Sequence, residues 1–206
     1  MTESTAPRQG HERRAPDPRR RSQRAHTAIL EAAAELLGEI GFSKMTIEGI
    51  AARARVGKQT IYRWWPSKSA VLLDVFTTYT GSEAGEPLPD TGDVETDLKT
   101  VFRAIVDEFN TPSLDRTARA FTAEIQHDPQ LAREITDRLL LPNLEAFKQR
   151  LRAAQEAGQV SPDADLDMAV ELLNGPLHYR WLMRLAPLTH AYADGLVDTA
   201  LRALRP

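Results

Sequence analysis

From Ser22 to the last residues apolar positions recur along this chain at helical spacing, and no stretch keeps the alternation of a strand. From Ser22 onward Ile29, Ala32, Ala33, Leu36 and Ile40 follow the i, i+3, i+4, i+7 rule, and Gly41 stands where a left-handed residue would end that helix. Thr46 then suits an N-cap, with Glu48 in the first turn where the helix dipole favours a carboxylate. Residues 46–68 read as two short helices, the first with Ile47, Ile50, Ala51 and Ala54 on one face, the second with Ile61 and Trp65. The turn between them, at Arg55, Val56 and Gly57, is too short for anything but a sharp helix-helix corner. Ser67 caps a fourth helix whose apolar stripe is Val71, Leu72, Val75, Phe76 and Tyr79.

Beyond a loop at 82–92 the same periodicity predicts helix five over 94–109, with Leu98, Phe102, Ile105 and Phe109 on one face. Helix six covers about 114–126 (Leu114, Ala118, Phe121, Ile125), after a stop at Asn110-Thr111-Pro112. Pro129 suits the first turn of helix seven, which reaches Ala157 and closes at Gly158, with a kink or a break near Leu141 because Pro142 falls inside it. Ser161-Pro162-Asp163 opens helix eight, striped with Leu166, Ala169, Leu173 and Leu177 and bent at Gly175-Pro176. Helix nine covers about 189–204. The expectation is an all-α chain of about nine helices: a basic arm at 1–20, a three-helix unit at 21–66 and a larger helical body at 67–206.

Composition changes this picture in two places. The arm is rich in proline and arginine and nearly free of apolar residues, so it cannot bury enough surface to offset its ordering entropy and is expected to be disordered. Arg8, Arg13, Arg14, Arg19, Arg20 and Arg21 could track phosphates or enter a minor groove, or the arm could be a passive solvated tail. The net charge of −3 hides an asymmetry: 13 Lys/Arg against 7 Asp/Glu through Lys68, a balance of +6, then 13 against 22, a balance of −9. A basic front on an acidic body suggests that one part meets a polyanion and the other does not. With Cys 0 there is no disulfide framework and no thiolate chemistry, which is compatible with a reducing cytoplasm. No run of about 18 apolar residues points to a membrane span, and the N-terminus lacks the apolar region of a secretory signal.

The stretch at 46–68, TIEGIAARARVGKQTIYRWWPSK, resembles the DNA-binding helix-turn-helix of TetR-family transcriptional regulators. The likeness is carried by Thr46, Ile50, Ala51, Ala54, Val56, Thr60, Tyr62, Ser67 and Lys68, at a spacing that holds across both helices and into the next. In detail it covers about 22–79; beyond that only the architecture is carried over. With Ile61 and Trp65 turned to the core, stepping about 100° per residue points Gln59 and Arg63 outward, with Thr60 and Tyr62 on the flanks and Lys58 and Trp64 nearer the core side. Arg63 could pair with guanine and Gln59 with adenine, each good bidentate pair contributing about 1–3 kcal/mol of discrimination. The resemblance implies phosphate contacts at Tyr62 and Lys68, and places Lys58 and Trp64 close to the groove; Lys68 also opens a helix, where an anion is favoured, and Thr46 adds a further phosphate contact. The chain departs from the family at the turn, with Arg55 where glycine is usual and Gly57 where a serine-like cap is usual. A left-handed Arg55 would cost about 1 kcal/mol, so Gly57 is expected to absorb the awkward dihedral.

The resemblance further implies a body that binds a small-molecule effector and dimerises through its last two helices, so that a ligand moving helix four releases double-stranded operator DNA. Residues 172–183, LLNGPLHYRWLM, resemble the dimerisation region of many members; Tyr179, Arg180 and Trp181 are of types enriched at interfaces, or are ordinary core. Candidate effector contacts are the aromatics Phe102, Phe109, Phe121, Phe147 and Trp181, with Glu124, Asn174 and His178 as polar partners.

An enzyme is not expected. The 5 histidines are scattered, with no metal-ligand spacing, no glycine-rich phosphate loop and no serine in a nucleophile elbow. No cofactor, metal or membrane partner is implied. The nearer rival is an effector-independent repressor or activator of the same fold.

Overall fold

The structure, a computed structural model, describes residues 18–80 and 85–206, and among these every regular element is helical. The elements are α1 (Pro18–Ile40), α2 (Ile47–Ala54), α3 (Lys58–Tyr62), α4 (Lys68–Thr80), α5 (Val94–Asn110), α6 (Pro112–Ile125), α7 (Pro129–Ile135), a π turn (Thr136–Leu140), α8 (Leu141–Glu156), α9 (Leu166–Leu182) and α10 (His190–Ala203). Because α7, the π turn and α8 run on as one rod, the described residues make nine rods. Of the arm expected to be disordered over 1–20, residues 1–17 lie outside the described residues, as does Tyr79 as a packing side chain, but 18–20 are helical, since α1 begins at Pro18.

Short polar residues set the starts. Thr46 accepts from the Gly49 N–H at 3.0 Å, Ser67 from Ala70 at 3.1 Å, and Asp128 from Gln130 and Leu131, both at 3.0 Å. Gly41, at φ 76°, ends α1 in the left-handed conformation expected of it. The interruption predicted by Pro142 takes the form of the π turn just before it. There the Leu141 N–H reaches back to the Thr136 carbonyl, and the wider turn eases the clash of the proline ring with the preceding turn. Two boundaries move. α6 starts at Pro112, which serves as a first-turn residue rather than only as a stop, and α9 starts at Leu166 under an Asp165 cap, so Ser161-Pro162-Asp163 is a turn whose Ser161 N–H bonds the Leu204 carbonyl. Pro176 lies within α9, which continues through it to Leu182.

Two apolar clusters hold the rods together. The first joins α1 to α4 and takes in Phe121 of α6 with Leu131, Ile135 and Leu139, so the short front helices share their core with elements far along the chain. The second joins α5, α8, α9 and α10 around Leu98, Phe102, Leu151, Leu173 and Val197. Phe76 of α4 packs against both, and its ring stacks on Phe121 at 5.2 Å. The second cluster encloses an ion pair: Asp97 accepts from Arg150 Nη2 at 2.6 Å and Nε at 2.8 Å, and from Thr91. Burial alone would raise the Asp97 carboxyl, but the hydrogen bonds from Thr91 and Arg150 outweigh it and hold the group below its ordinary value.

Candidate nucleic-acid interface

The face of α3 follows from which of its residues the core claims. Ile61 is fully buried and Trp65, one turn on, is 3% exposed, with its indole N–H donated to Asp74 at 2.8 Å. Lys58, Gln59, Tyr62 and Arg63 are exposed, and Thr60 is half-buried between them. Gln59 and Arg63 thus face outward and Trp64 lies nearer the core, as the helical step expects, whereas Lys58, which the same step puts toward the core, opens the helix exposed.

Neighbouring ion pairs fix the corner. Arg53 of α2 reaches Glu35 at 3.0 Å and Glu39 at 2.7 Å, tying α2 to α1. Lys58 pairs with Glu48 at 2.9 Å, tying α3 to α2. Their hydrogen bond lowers the Glu48 carboxyl and raises the Lys58 ammonium from their ordinary values. Lys58, expected beside the groove, thus carries a structural partner.

Two other expected contacts have local roles. The Thr46 hydroxyl oxygen accepts the cap bond, which leaves its proton to donate outward. Lys68 is half-buried; its ammonium donates to the Phe42 carbonyl at 2.9 Å and the Met45 carbonyl at 3.3 Å, and lies over the Phe42 ring. With three donors, it retains one for a phosphate. Trp64 is half-buried between His26 and Trp65, and the Arg63 guanidinium lies over its ring at 4.7 Å.

The turn departs from expectation. Arg55 itself takes the left-handed conformation, φ 56° and ψ 43°, while Gly57 is extended at φ −77°. Arg55 occupies the position where the chain must reverse: its N–H bonds the Ala52 carbonyl at 3.3 Å and the Val56 N–H bonds Ala51 at 3.0 Å, the paired closure of a Schellman motif. Gly57, two residues too late, cannot relieve it.

The eight residues offered for an effector do not gather in one place. Phe102 and Phe147 face each other at 5.6 Å in the core of the body. Phe121 stacks on Phe76 near the front helices, and Glu124 lines a cleft of about 380 Å³ with Phe42, Ser43, Lys68, His127, Asp128 and Pro129. Phe109, His178 and Trp181 do meet: Phe109 stacks on Trp181 at 4.6 Å and meets the edge of His178 at 5.5 Å. Asn174, one turn before His178, spends its amide on the Val170 carbonyl. Trp181 belongs to the core, at 6% exposure, whereas Tyr179 is 59% exposed.

Sequence reasoning missed the latch around Trp181. Its indole N–H donates to Asp115 at 2.7 Å; Arg119 bonds the same carboxylate at 2.8 Å, covers the indole ring and donates to the Trp181 carbonyl at 2.9 Å. It also missed Glu108, half-buried on α5, whose carboxyl burial pushes up. Asp115 and Arg119 stand at i,i+4, but Trp181 meets them from 66 residues away and the burial of Glu108 is a matter of tertiary packing, so no local pattern announces either.

Comparison with known proteins agrees with this arrangement. Residues 29–75 match the family described as bacterial regulatory proteins, tetR family, and residues 88–200 match the tetracyclin repressor-like C-terminal domain. The chain is 32% identical over 187 residues to the HTH-type transcriptional regulator YdeS of Bacillus subtilis, covering 91% of this chain and 93% of that one. It is 27% identical over 192 residues to a DNA-binding transcriptional repressor, TetR, of Mycobacteroides abscessus, covering 89% and 95%. Among solved structures, that of the TetR family transcription regulator SCO0332 is 32% identical and superposes with a TM-score of 0.68, covering 88% of this chain and 99% of that one.

Proposed function

The chain belongs to the TetR family of bacterial transcriptional regulators and is a DNA-binding regulator; from that premise we propose that it acts as a homodimeric repressor, released from its operator by a small molecule. The observation that carries the reading is α3: Ile61 and Trp65 are buried beneath it, while Gln59, Tyr62 and Arg63 stand exposed on it. Gln59 and Arg63 read base edges, with Thr60 beside them. Thr46, Lys58, Tyr62 and Lys68 hold phosphates on either side. The action is binding rather than turnover, in the cytoplasm with the DNA. Among the described residues no helix is long and apolar enough to cross a membrane.

Dimerisation through α9 and α10 is supported by what α9 leaves outside. Met168, Leu172, Tyr179 and Leu182, 41–62% exposed, recur at helical spacing, and Gly175 among them has open space where a side chain would be. On α10 the exposed Ala191, Gly195 and Thr199 are small enough for a partner helix to approach closely. Two such subunits would set two α3 helices about 34–36 Å apart, or further, along the duplex.

Release needs a path from body to front, and α6 supplies one. Its Asp115 and Arg119 grip the end of α9, Arg116 lies against Gly38 of α1, where a Cβ would stand 2.9 Å from Arg116 Cδ, and Phe121 stacks on Phe76 of α4. An effector entering beside Phe109, His178 and Trp181 would act on the Trp181 latch directly. It can shift the equilibrium only by its differential affinity for the two states.

The test is a footprint on the DNA upstream of the chain's own gene and its neighbours, repeated across a metabolite panel. A protected inverted repeat lost on adding one metabolite supports the reading. Protection that no metabolite relieves favours the effector-independent regulator, and no protection at all contradicts both. Leu172→Glu is expected to give monomers by sedimentation and to lose operator binding while remaining folded.

A further inference from the structure

Arg63 does not project freely from α3. Its guanidinium carbon lies 4.7 Å from the centre of the Trp64 ring. That ring is itself held: His26 of α1 meets it at 5.3 Å and 75°, and Trp65 meets it at 5.5 Å and 71°. His26 also lies 4.7 Å from Trp65, and Trp65 is pinned by its hydrogen bond to Asp74 of α4. The stack thus runs from two half-buried anchors, His26 on α1 and Asp74 on α4, to the end of the recognition face.

An arginine on a short exposed helix samples many rotamers, few of which align its planar fork with the acceptor edge of a guanine. A ring beneath the guanidinium removes many of the others, since the ring face attracts the cation and blocks one side of it. The ring can do this only if it stays still, and Trp64 is braced on two sides. We propose that Trp64 is a positioning residue for Arg63, and that His26 of α1 holds Trp64 in place, so that selectivity at the base pair read by Arg63 is set partly by α1. This rests on the reading of α3 as the recognition helix. It gives Trp64 a different role from a groove contact: it presents its face to Arg63 rather than to DNA.

The test uses the purified full chain and a pool of double-stranded oligonucleotides with a randomised segment. The duplex enriched by the wild-type chain is resynthesised with each base pair of one half-site substituted in turn, and relative affinities are measured by competition at one ionic strength. Arg63→Ala is expected to flatten preference at one position of the half-site. Trp64→Leu is expected to lower preference at that same position about two- to fivefold, the range of an exposed cation–π contact, and to leave the other positions unchanged. His26→Ala moves the same position in the same direction, Trp64→Phe retains most of the preference because a ring face remains, and Arg63→Ala with Trp64→Leu is no flatter there than Arg63→Ala alone. The thermal midpoint accompanies each variant; if Trp64→Leu does not fold, His26→Ala against Trp64→Phe carries the same comparison.

Trp64→Leu weakening every duplex by one common factor would overturn the proposal, since that is the signature of a phosphate contact, and so would an unchanged preference at the Arg63 position. Should Arg63→Ala itself change no position, the reading of α3 fails and the proposal with it. That outcome is recognisably different from one in which Arg63 matters and Trp64 does not.

Discussion

Replacing Arg55 by glycine is expected to make the protein more stable. Arg55 holds φ 56° and ψ 43° at the end of α2, one of two non-glycine residues with positive φ among those described, the other being Arg184. That conformation costs an L-residue about 1–2 kcal/mol. Glycine would adopt it freely but gives back about 0.4–1 kcal/mol through the larger freedom of the unfolded chain. The Arg55 side chain is exposed, and no ion pair of it is found among the described residues, so its loss takes little packing with it. The net gain is then about 0.5–1 kcal/mol, a rise of about 1–4 °C in Tm for a chain of this size. Calorimetry with denaturant midpoints as a second readout measures it, and Arg55→Ala is the control: it removes the charge but keeps the strain, and so gains nothing. If Arg55→Gly melts at or below the wild-type temperature while Arg55→Ala is unchanged, the backbone at this corner is not strained and the reasoning fails.

Other perturbations follow from the same geometry. Arg150→Leu strands the Asp97 carboxylate, which is 1% exposed, and is expected to lose about 3–5 kcal/mol in denaturant unfolding. Asp97 is held below its ordinary value, so its stabilisation is complete above the carboxyl's unfolded range and fades as pH falls through the lower folded value. Asp97→Asn should therefore flatten the acid limb of stability against pH. Tyr62→Ala is expected to weaken binding to every duplex and leave the salt slope unchanged, because the hydroxyl is a neutral phosphate donor, with folding intact. Lys68→Ala should also weaken every duplex but reduce the salt slope by about 0.9, and it should lower the melting temperature, because the Phe42 and Met45 carbonyls lose their donor. Asp115→Ala leaves the Trp181 indole N–H without its acceptor and is expected to cost about 1–3 kcal/mol, read by the Trp181 emission during unfolding.

What could be read from the chain beforehand was what one helix decides for itself. The spacing of Ile61 and Trp65 gave the face of α3, and hence Gln59 and Arg63 outward, because a period of 3.6 residues leaves little choice once two buried positions are known. Thr46, Ser67 and Gly41 announced their turns because their chemistry suits few other places. Residue preference alone points the corner's left-handed dihedral to Gly57, but position overrides it: the hydrogen bonds to the Ala51 and Ala52 carbonyls require the reversal at Arg55 itself. The interior of the body was illegible for a different reason. Asp97 meets Arg150 across 53 residues and Trp181 meets Asp115 across 66, and no local periodicity encodes which carboxylate a distant arginine or indole will find. The effector candidates suffered likewise: their aromatics lie on apolar faces, as expected, but those faces turn toward different cores.

The central claim is that the exposed face of α3 reads DNA sequence, and enrichment from a random duplex pool tests it most directly. The wild-type chain is expected to enrich an inverted repeat, and Gln59→Ala and Arg63→Ala to enrich repeats relaxed at different single positions of each half-site, with each variant as stable as the wild type. If both variants enrich the same sequence as the wild-type chain with undiminished preference at every position, sequence is read elsewhere and the account of this interface is wrong.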